Sequence, residues 1–208
     1  MWYHELNSDN WTIDFWVKHR STPTTTEEHY IVQSEGNSNN AWYLKMNTTH
    51  GLVFGVSSGG DVGFIRTTQS GGAIITDTNW HHIAMIKKAA EYGVYVDGSQ
   101  YGYVNDSSID TFAGALWIAR FNDGSWPLPF DGNIDDIRII QSDPFGGAPN
   151  SGKTDTIIIP TSQHTSDANT KLLINGGETK TGTSGSGATF TDSGNTGHTV
   201  TENGNAIE

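Results

Sequence analysis

Residues Trp11–Lys18 read WTIDFWVK. Ile13, Phe15 and Val17 alternate with Thr12, Asp14 and Trp16, and a period of two marks a half-buried strand. Outward from this stretch, similar short runs recur at Tyr30–Gln33, Ala41–Met46, Leu52–Val56, Val62–Thr67, Ala73–Thr76, Trp80–Lys87, Gly93–Val96, Tyr101–Asn105, Leu116–Phe121 and Gly132–Ile140. Clusters of Gly, Asn, Asp and Ser separate them: EGNSNN, SSGGD, QSGG, NDSS and FNDGS. Asp97-Gly98, between GVYV and SQYGYV, is a two-residue hairpin signal, because both turn positions need positive φ. No window of helical length shows a 3.6-residue period. The nearest, KKAAEYG, is broken by Gly93. The reading is all-β.

If each strand lays one face on a core, Ile13, Phe15, Val17, Trp80, Ile83, Val94, Val96, Trp117, Ile134 and Ile137 are its expected members. Trp80 and Ile83 have opposite parity, which predicts a bulge in that strand or burial on both of its faces.

Composition sets limits. The chain has 208 residues, room for one sizeable core with some chain left over. Its 25 glycines disfavour long helices, and its aromatic content excludes a disordered chain. A net charge of −12 repels phosphate backbones, so nucleic acid is excluded as a partner. The same surface suits a hard cation such as calcium. Without cysteine there are no disulfides and no thiolate metal sites, which favours a bacterial or viral source over a secreted eukaryotic one. No apolar run is long enough to span a membrane, and MWYHELNSDN lacks a signal-peptide core. An extracellular or virion-associated role would therefore require another export route, or release with a virus particle.

After Ile140 the character changes. QSDPFGGAPNSGKTD reads as loop, IIIP as a short strand and TSQHTSDANT as polar connection. TKLLIN reads as a strand, and the Gly/Thr/Ser-rich remainder holds short β-like pieces at Ala188–Thr191 and His198–Thr201. The division expected is a body over residues 1–145, a linker over 146–170 and a strand segment over 171–208.

Three segments, WTIDFWVK, WHHIAMIK with GVYVDGSQYG, and LWIARFNDGSWPLPFDGNIDDIRI, together resemble the laminin G-like jelly roll of the concanavalin A-like lectin/glucanase superfamily. The resemblance covers Trp11 to Ile140, and GNIDDIRI is its most specific piece. It implies an antiparallel two-sheet sandwich of a kind common in bacteriophage tail and surface proteins and in bacterial adhesins. The tail resembles the start of the same domain: TSDANTKLLIN, then FTDSGNTGH, with Asp192, Gly194, Asn195 and His198 on its D-x-S-G-N-x-x-H pattern. A segment that opens the family's domain stands here after everything else. The sandwich is therefore expected to be permuted, or to exchange this strand with a neighbouring copy.

The motifs divide by context. Gly147–Thr154, GAPNSGKT, matches a phosphate loop, but the β-branched, proline-stopped DTIIIP that follows cannot open the helix such a loop needs. Gly55–Gly59, GVSSG, matches a nucleophile elbow without its strand-to-helix turn. His81 and His82 are adjacent on a strand and point to opposite faces, so they cannot share a metal. The resemblance places one of the two rings against the sandwich interior. Glycosidases need two carboxylates converging across a groove. Glu27-Glu28 are adjacent after a Pro/Thr loop, Glu35 is in a turn, and Asp135-Asp136 are expected to project oppositely.

The function expected is a non-catalytic binding or adhesion module for a surface glycan or host-cell component. The alternatives are a structural block of a fibre or virion built by strand donation and, least favoured, a polysaccharide-active enzyme. Rim aromatics that could stack on sugar are Trp2, Tyr3, Tyr101, Tyr103 and Trp126. Trp126 is the first choice, with Asn122 and Asp123 as hydrogen-bonding neighbours. For a metal, the resemblance implies calcium beside Asp135, with Asp192 and Asn195 of the tail as further oxygen donors.

Overall fold

Short alternating runs and frequent turn residues give twelve strands in the computed structural model, which describes residues 4–5, 10–22, 28–34, 41–47, 51–57, 74–107, 111–112, 114–120, 130–176 and 190–201. They are β1 (His4–Glu5), β2 (Asn10–His19), β3 (Glu28–Ser34), β4 (Ala41–Asn47), β5 (Gly51–Ser57), β6 (Trp80–Lys88), β7 (Glu91–Val96), β8 (Ser99–Asn105), β9 (Thr111–Phe112), β10 (Ala115–Ile118), β11 (Gly132–Ile140) and β12 (Thr170–Ile174). Among the described residues no helix is long and apolar enough to cross a membrane.

Two antiparallel sheets form the sandwich, one ordered β12-β11-β2-β6-β7-β8 and the other β10-β3-β4-β5, with a small β1-β9 pair beside them. Trp11, Ile13, Phe15 and Val17 of β2 face inward and meet Tyr30, Trp42, Leu44 and Phe54 of the opposite sheet. The β7–β8 hairpin turns at Asp97 (φ 48°) and Gly98 (φ 84°), the left-handed pair that its sequence predicts.

Strand β6 is buried on both faces. Ile83 and Met85 enter the main core, whereas Ala84 and Ile86 join a second cluster with Tyr95 and Ile157. The cover comes from residues 141–169, which cross the outer face of the six-stranded sheet as a strap. Tyr95 donates its hydroxyl to Asp155 Oδ2 at 2.7 Å, Gln100 and Asn150 exchange two hydrogen bonds, and Ile157 N donates to Gly98 O at 2.8 Å. The stretch expected to be a linker, 146–170, thus packs on the sheet. Its IIIP run forms no strand, and Thr156 just before it makes an isolated bridge to Ser99.

The tail closes on its own body. Strand β12 pairs with β11, burying Leu172 and Ile174 in the main core, and Phe190 and Val200 pack against that core's margin.

Three core expectations change. Trp80 has outer parity at the start of β6, opposite Lys18, and is 43% exposed. Trp117 lies opposite Val32 and is half-buried, because its neighbours Leu116 and Ile118 take the inward positions. Ile134 is half-buried at the core margin. The other seven are buried. Of the remaining strand expectations, 62–67 and 188–189 lie outside the described residues. Ile75 is buried without belonging to a strand, and His198–Thr201 is irregular.

Candidate functional site

Asp14 is the outward residue at the middle of β2, flanked by β11 and β6. A carboxylate there would face water, but it is fully buried under the strap. Register supplies its first partner: Arg138 stands opposite on β11 and donates Nε to Oδ1 at 2.9 Å and Nη2 to Oδ2 at 3.2 Å. From β6, His82 Nε2 lies 3.2 Å from Oδ2. From the strap, His164 Nε2 lies 2.6 Å from the same oxygen, yet off the axis a hydrogen bond requires.

A bulge brings in the fifth member. Between Asp135 and Arg138 the β2–β11 register shifts, and Asp136 takes φ 52°. One extra residue lets Ile134 and Ile137, of opposite parity, both turn to the core. It also corrects the expectation that Asp135 and Asp136 project oppositely, for both carboxylates reach the outer side. Asp136 accepts the His164 amide on both oxygens, at 3.1 and 3.2 Å, and its Oδ2 is 3.7 Å from His164 Nε2. Phe145 closes the space, its ring 5.7 Å from His82 and 5.4 Å from the Arg138 guanidinium, and Trp16 flanks His82 at 5.3 Å.

Burial is the largest influence on Asp14 and would raise its pKa. The His164 and His82 contacts and the Arg138 charge outweigh it and hold the carboxyl far below the usual range. At Asp136 burial wins, aided by the negative charges of Asp14 and Asp135, and the pKa rises. The resemblance implied that one ring of the His81–His82 pair lies against the sandwich interior; the fully buried one, His82, lies on the outer face beneath the strap. His164 was invisible as a partner, since it stands in the polar run TSQHTSDANT, 150 positions after Asp14.

Trp126, Asn122 and Asp123 lie outside the described residues, as do Trp2 and Tyr3. The ends of the 121–129 stretch are tied, with Phe130 N donating to Ala119 O at 2.9 Å. Tyr101 packs against the main core. The three residues expected around calcium are strung along β12. Asp135 Oδ1 accepts Gly176 N just past the strand's end, Asp192 Oδ1 accepts Leu173 N on the opposite edge, and Asn195 N donates to Thr170 O at the strand's start. At about 3.3 Å per residue, Thr170 and Gly176 stand roughly 20 Å apart, so the three do not surround one point. Asp192 is a hub for backbone donors: Oδ1 accepts Leu173 N and Gly194 N, and Oδ2 accepts His198 N with His198 Nδ1 at 2.7 Å.

The phosphate-loop look-alike is a turn in the strap. Asn150 Oδ1 takes the Thr154 amide and hydroxyl, Ala148 N is spent on Asp155, and no helix follows. Glu28 is buried against His19 at 3.2 Å.

Residues 3–143 match the laminin G-like profile of the concanavalin A-like lectin/glucanases superfamily, and the chain belongs to that superfamily. Asp14, His82, Asp136 and Arg138 lie inside the match, and His164 lies beyond it. No curated protein matches the chain. Among solved structures, one similar fold is a protein of Bacteroides ovatus ATCC 8483, provisionally described as carbohydrate-binding. Its TM-score is 0.53 at 17% identity over 84% of this chain and 48% of that one, so the chain spans about half its length. Another is the CBM40 of a Ruminococcus gnavus IT-sialidase bound to α2,3 sialyllactose, with TM-score 0.50, 13% identity, and 67% and 85% coverage.

Proposed function

We propose that this chain is a non-catalytic glycan-binding module displayed on a virion or another extracellular surface. The observation that carries the reading is the chain's superfamily membership, joined to a likeness in fold to a carbohydrate-binding module solved with a sialylated sugar. The inner faces of both sheets are core, and the strap covers the outer face of the larger sheet. Rim positions are where we place recognition, and the sequence between the hydrogen-bonded Ala119 and Phe130 includes Trp126, Asn122 and Asp123. An indole supplies a stacking face and its two neighbours supply polar groups, the usual division of labour in a ligand site.

The carboxylates described above suit this non-catalytic role. Asp14 and Asp136 are buried under the strap and bound to Arg138 and the His164 amide, and Glu28 is buried against His19. A calcium ion, if it takes part, would rest on Asp135 without Asp192 and Asn195 as co-ligands.

A glycan array with the full chain, with and without millimolar calcium, tests the reading. Binding to a sugar class that Trp126→Ala abolishes without lowering Tm supports it. An array with no binder under either condition sinks it and leaves the structural block as the better account. A calcium-dependent rise in Tm that Asp135→Ala removes would add the ion, since a ligand bound only by the native state must stabilise it.

A further inference from the structure

We propose that Asp14, His82 and His164 form a transition-metal site of the zinc class, closed by the strap, with Asp136 as its fourth donor. The donor atoms of the first three residues all lie within 4.8 Å of one another, and all three side chains are buried. Two imidazole nitrogens with carboxylate oxygens are the donor set that zinc, cobalt(II) and nickel(II) take. Calcium would want six to eight oxygens.

Three observations point to an ion. The first is the orphaned nitrogen: His164 Nε2 is buried, 2.6 Å from Asp14 Oδ2, and without a hydrogen-bond partner among the described residues. The second is spacing. Tetrahedral zinc with bonds of about 2.0–2.1 Å holds its ligand atoms about 3.3 Å apart, and His82 Nε2 is 3.2 Å from Asp14 Oδ2. His164 Nε2 is 3.7 Å from Asp136 Oδ2 but only 2.6 Å from Asp14 Oδ2, so the His164 ring must draw back by about 0.7 Å for a set of four to form around one ion. The third is charge. Two buried carboxylates, Asp14 and Asp136, face one guanidinium, Arg138, which leaves one negative charge uncompensated in a space where isolated charge is costly. A proton on Asp136 itself, a proton on an imidazole or a bound cation would balance it.

Arg138 does not block the ion. It grips both oxygens of Asp14, Nε on Oδ1 at 2.9 Å and Nη2 on Oδ2 at 3.2 Å, and an Oδ2 with two lone pairs keeps one for the side of the two imidazoles. Orienting a ligand carboxylate from behind is the ordinary task of an outer-shell partner. The site spans β2, β6, β11 and the strap, so the ion would fasten the strap to the sheet.

The test is calorimetric titration of the metal-stripped full chain with zinc alone, paired with the visible spectrum of its cobalt(II) form. Expected are one equivalent of zinc, a higher Tm, and the intense visible bands of four-coordinate cobalt. His164→Gln should weaken binding by more than about 100-fold, beyond the 10–100-fold typical of an outer-shell change. His198→Gln, away from the site on the tail turn, should leave it intact. Should His164→Gln fail to fold, His82→Gln and the wild-type cobalt spectrum decide. No stoichiometric zinc binding, or an octahedral cobalt spectrum, or binding that survives both His82→Gln and His164→Gln would overturn the proposal. The charge would then be balanced by a proton.

Discussion

A Cβ added at Gly98 would stand 2.6 Å from the carbonyl oxygen of Ile157, and the Ile157 amide donates to Gly98 O at 2.8 Å. The tip of the β7–β8 hairpin and the strap therefore touch backbone to backbone, and only glycine permits the approach. Gly98 also has φ +84°, which L side chains rarely adopt. Gly98→Ala should cost about 1–3 kcal/mol from the strained backbone alone. Urea unfolding should show it as a lower midpoint at unchanged m. A midpoint equal to wild type would mean that the strap is not held there.

Removing residues 171–208 deletes Leu172 and Ile174 from the main core and strips β11 of its outer partner. Each such side chain contributes about 1.5–3 kcal/mol by burial, against a total stability of about 5–15 kcal/mol for a domain. The exposed edge of β11 would also invite intermolecular pairing. The truncated chain should aggregate, or melt well below the full chain. Leu172→Ala is the milder version, expected to cost about 2–5 kcal/mol. A truncated chain that stays monomeric with unchanged Tm would refute the closure of the tail on its own body.

Asp192 supplies the pH dependence. Burial, the largest influence, would raise its pKa. The Leu173, His198 and Gly194 amides and the His198 ring outweigh burial and bring the pKa below the ordinary carboxylate value. A depressed folded pKa gives stability that is fully present above the unfolded value of about 3.9 and lost as pH falls through the folded one. The wild type should therefore lose stability toward acid below about pH 4 more steeply than Asp192→Asn. At pH 7 the variant should be less stable by about 1.5–3 kcal/mol, the range for hydrogen bonds to a charged group. Parallel acid limbs for the two proteins would remove Asp192 from this role.

How far the sequence foretold these features depended on whether each was local. Ile13, Phe15 and Val17 announce their face by alternation, and Asp97-Gly98 announces its turn, because each needs only its own neighbours. The bulge at Asp136 was half-legible. Ile134 and Ile137 have opposite parity, so one extra residue was needed for both to face inward. Trp80 and Trp117 were set on the wrong face, because the inward parity belongs to Ile83 in β6 and to Leu116 and Ile118 in β10. The site was least legible of all. Asp14 and Arg138 meet through strand order, and His164 arrives on a strap whose composition, PFGGAPNSGKTD and TSQHTSDANT, reads as loop. What that composition hides is Phe145, a lone apolar residue, which with Ile157 of the IIIP run seats the strap on the sheet.

Asp135 and Gly176 give a test of the turn that follows β12. Asp135 Oδ1 accepts Asp136 N and Gly176 N, each at 2.6 Å. A Cβ added at Gly176 would fall within the Asp135 carboxylate itself. Gly176→Ala must therefore push that carboxylate off both amides, and overpacking of this kind costs about 1–3 kcal/mol. Asp135→Ala removes the acceptor outright and should cost about 1.5–3 kcal/mol, because the lost bonds are to a charged group. If both changes damage the same contact, they cannot add. In the Asp135→Ala background there is no carboxylate to displace, so Gly176→Ala should cost distinctly less there, with a coupling of about 0.5–3 kcal/mol. The four proteins of the cycle, unfolded in urea at neutral pH, supply the measurement. Strictly additive costs would mean that Asp135 does not hold the end of β12, and that the closure of the tail rests on Leu172, Ile174 and Asp192 without it.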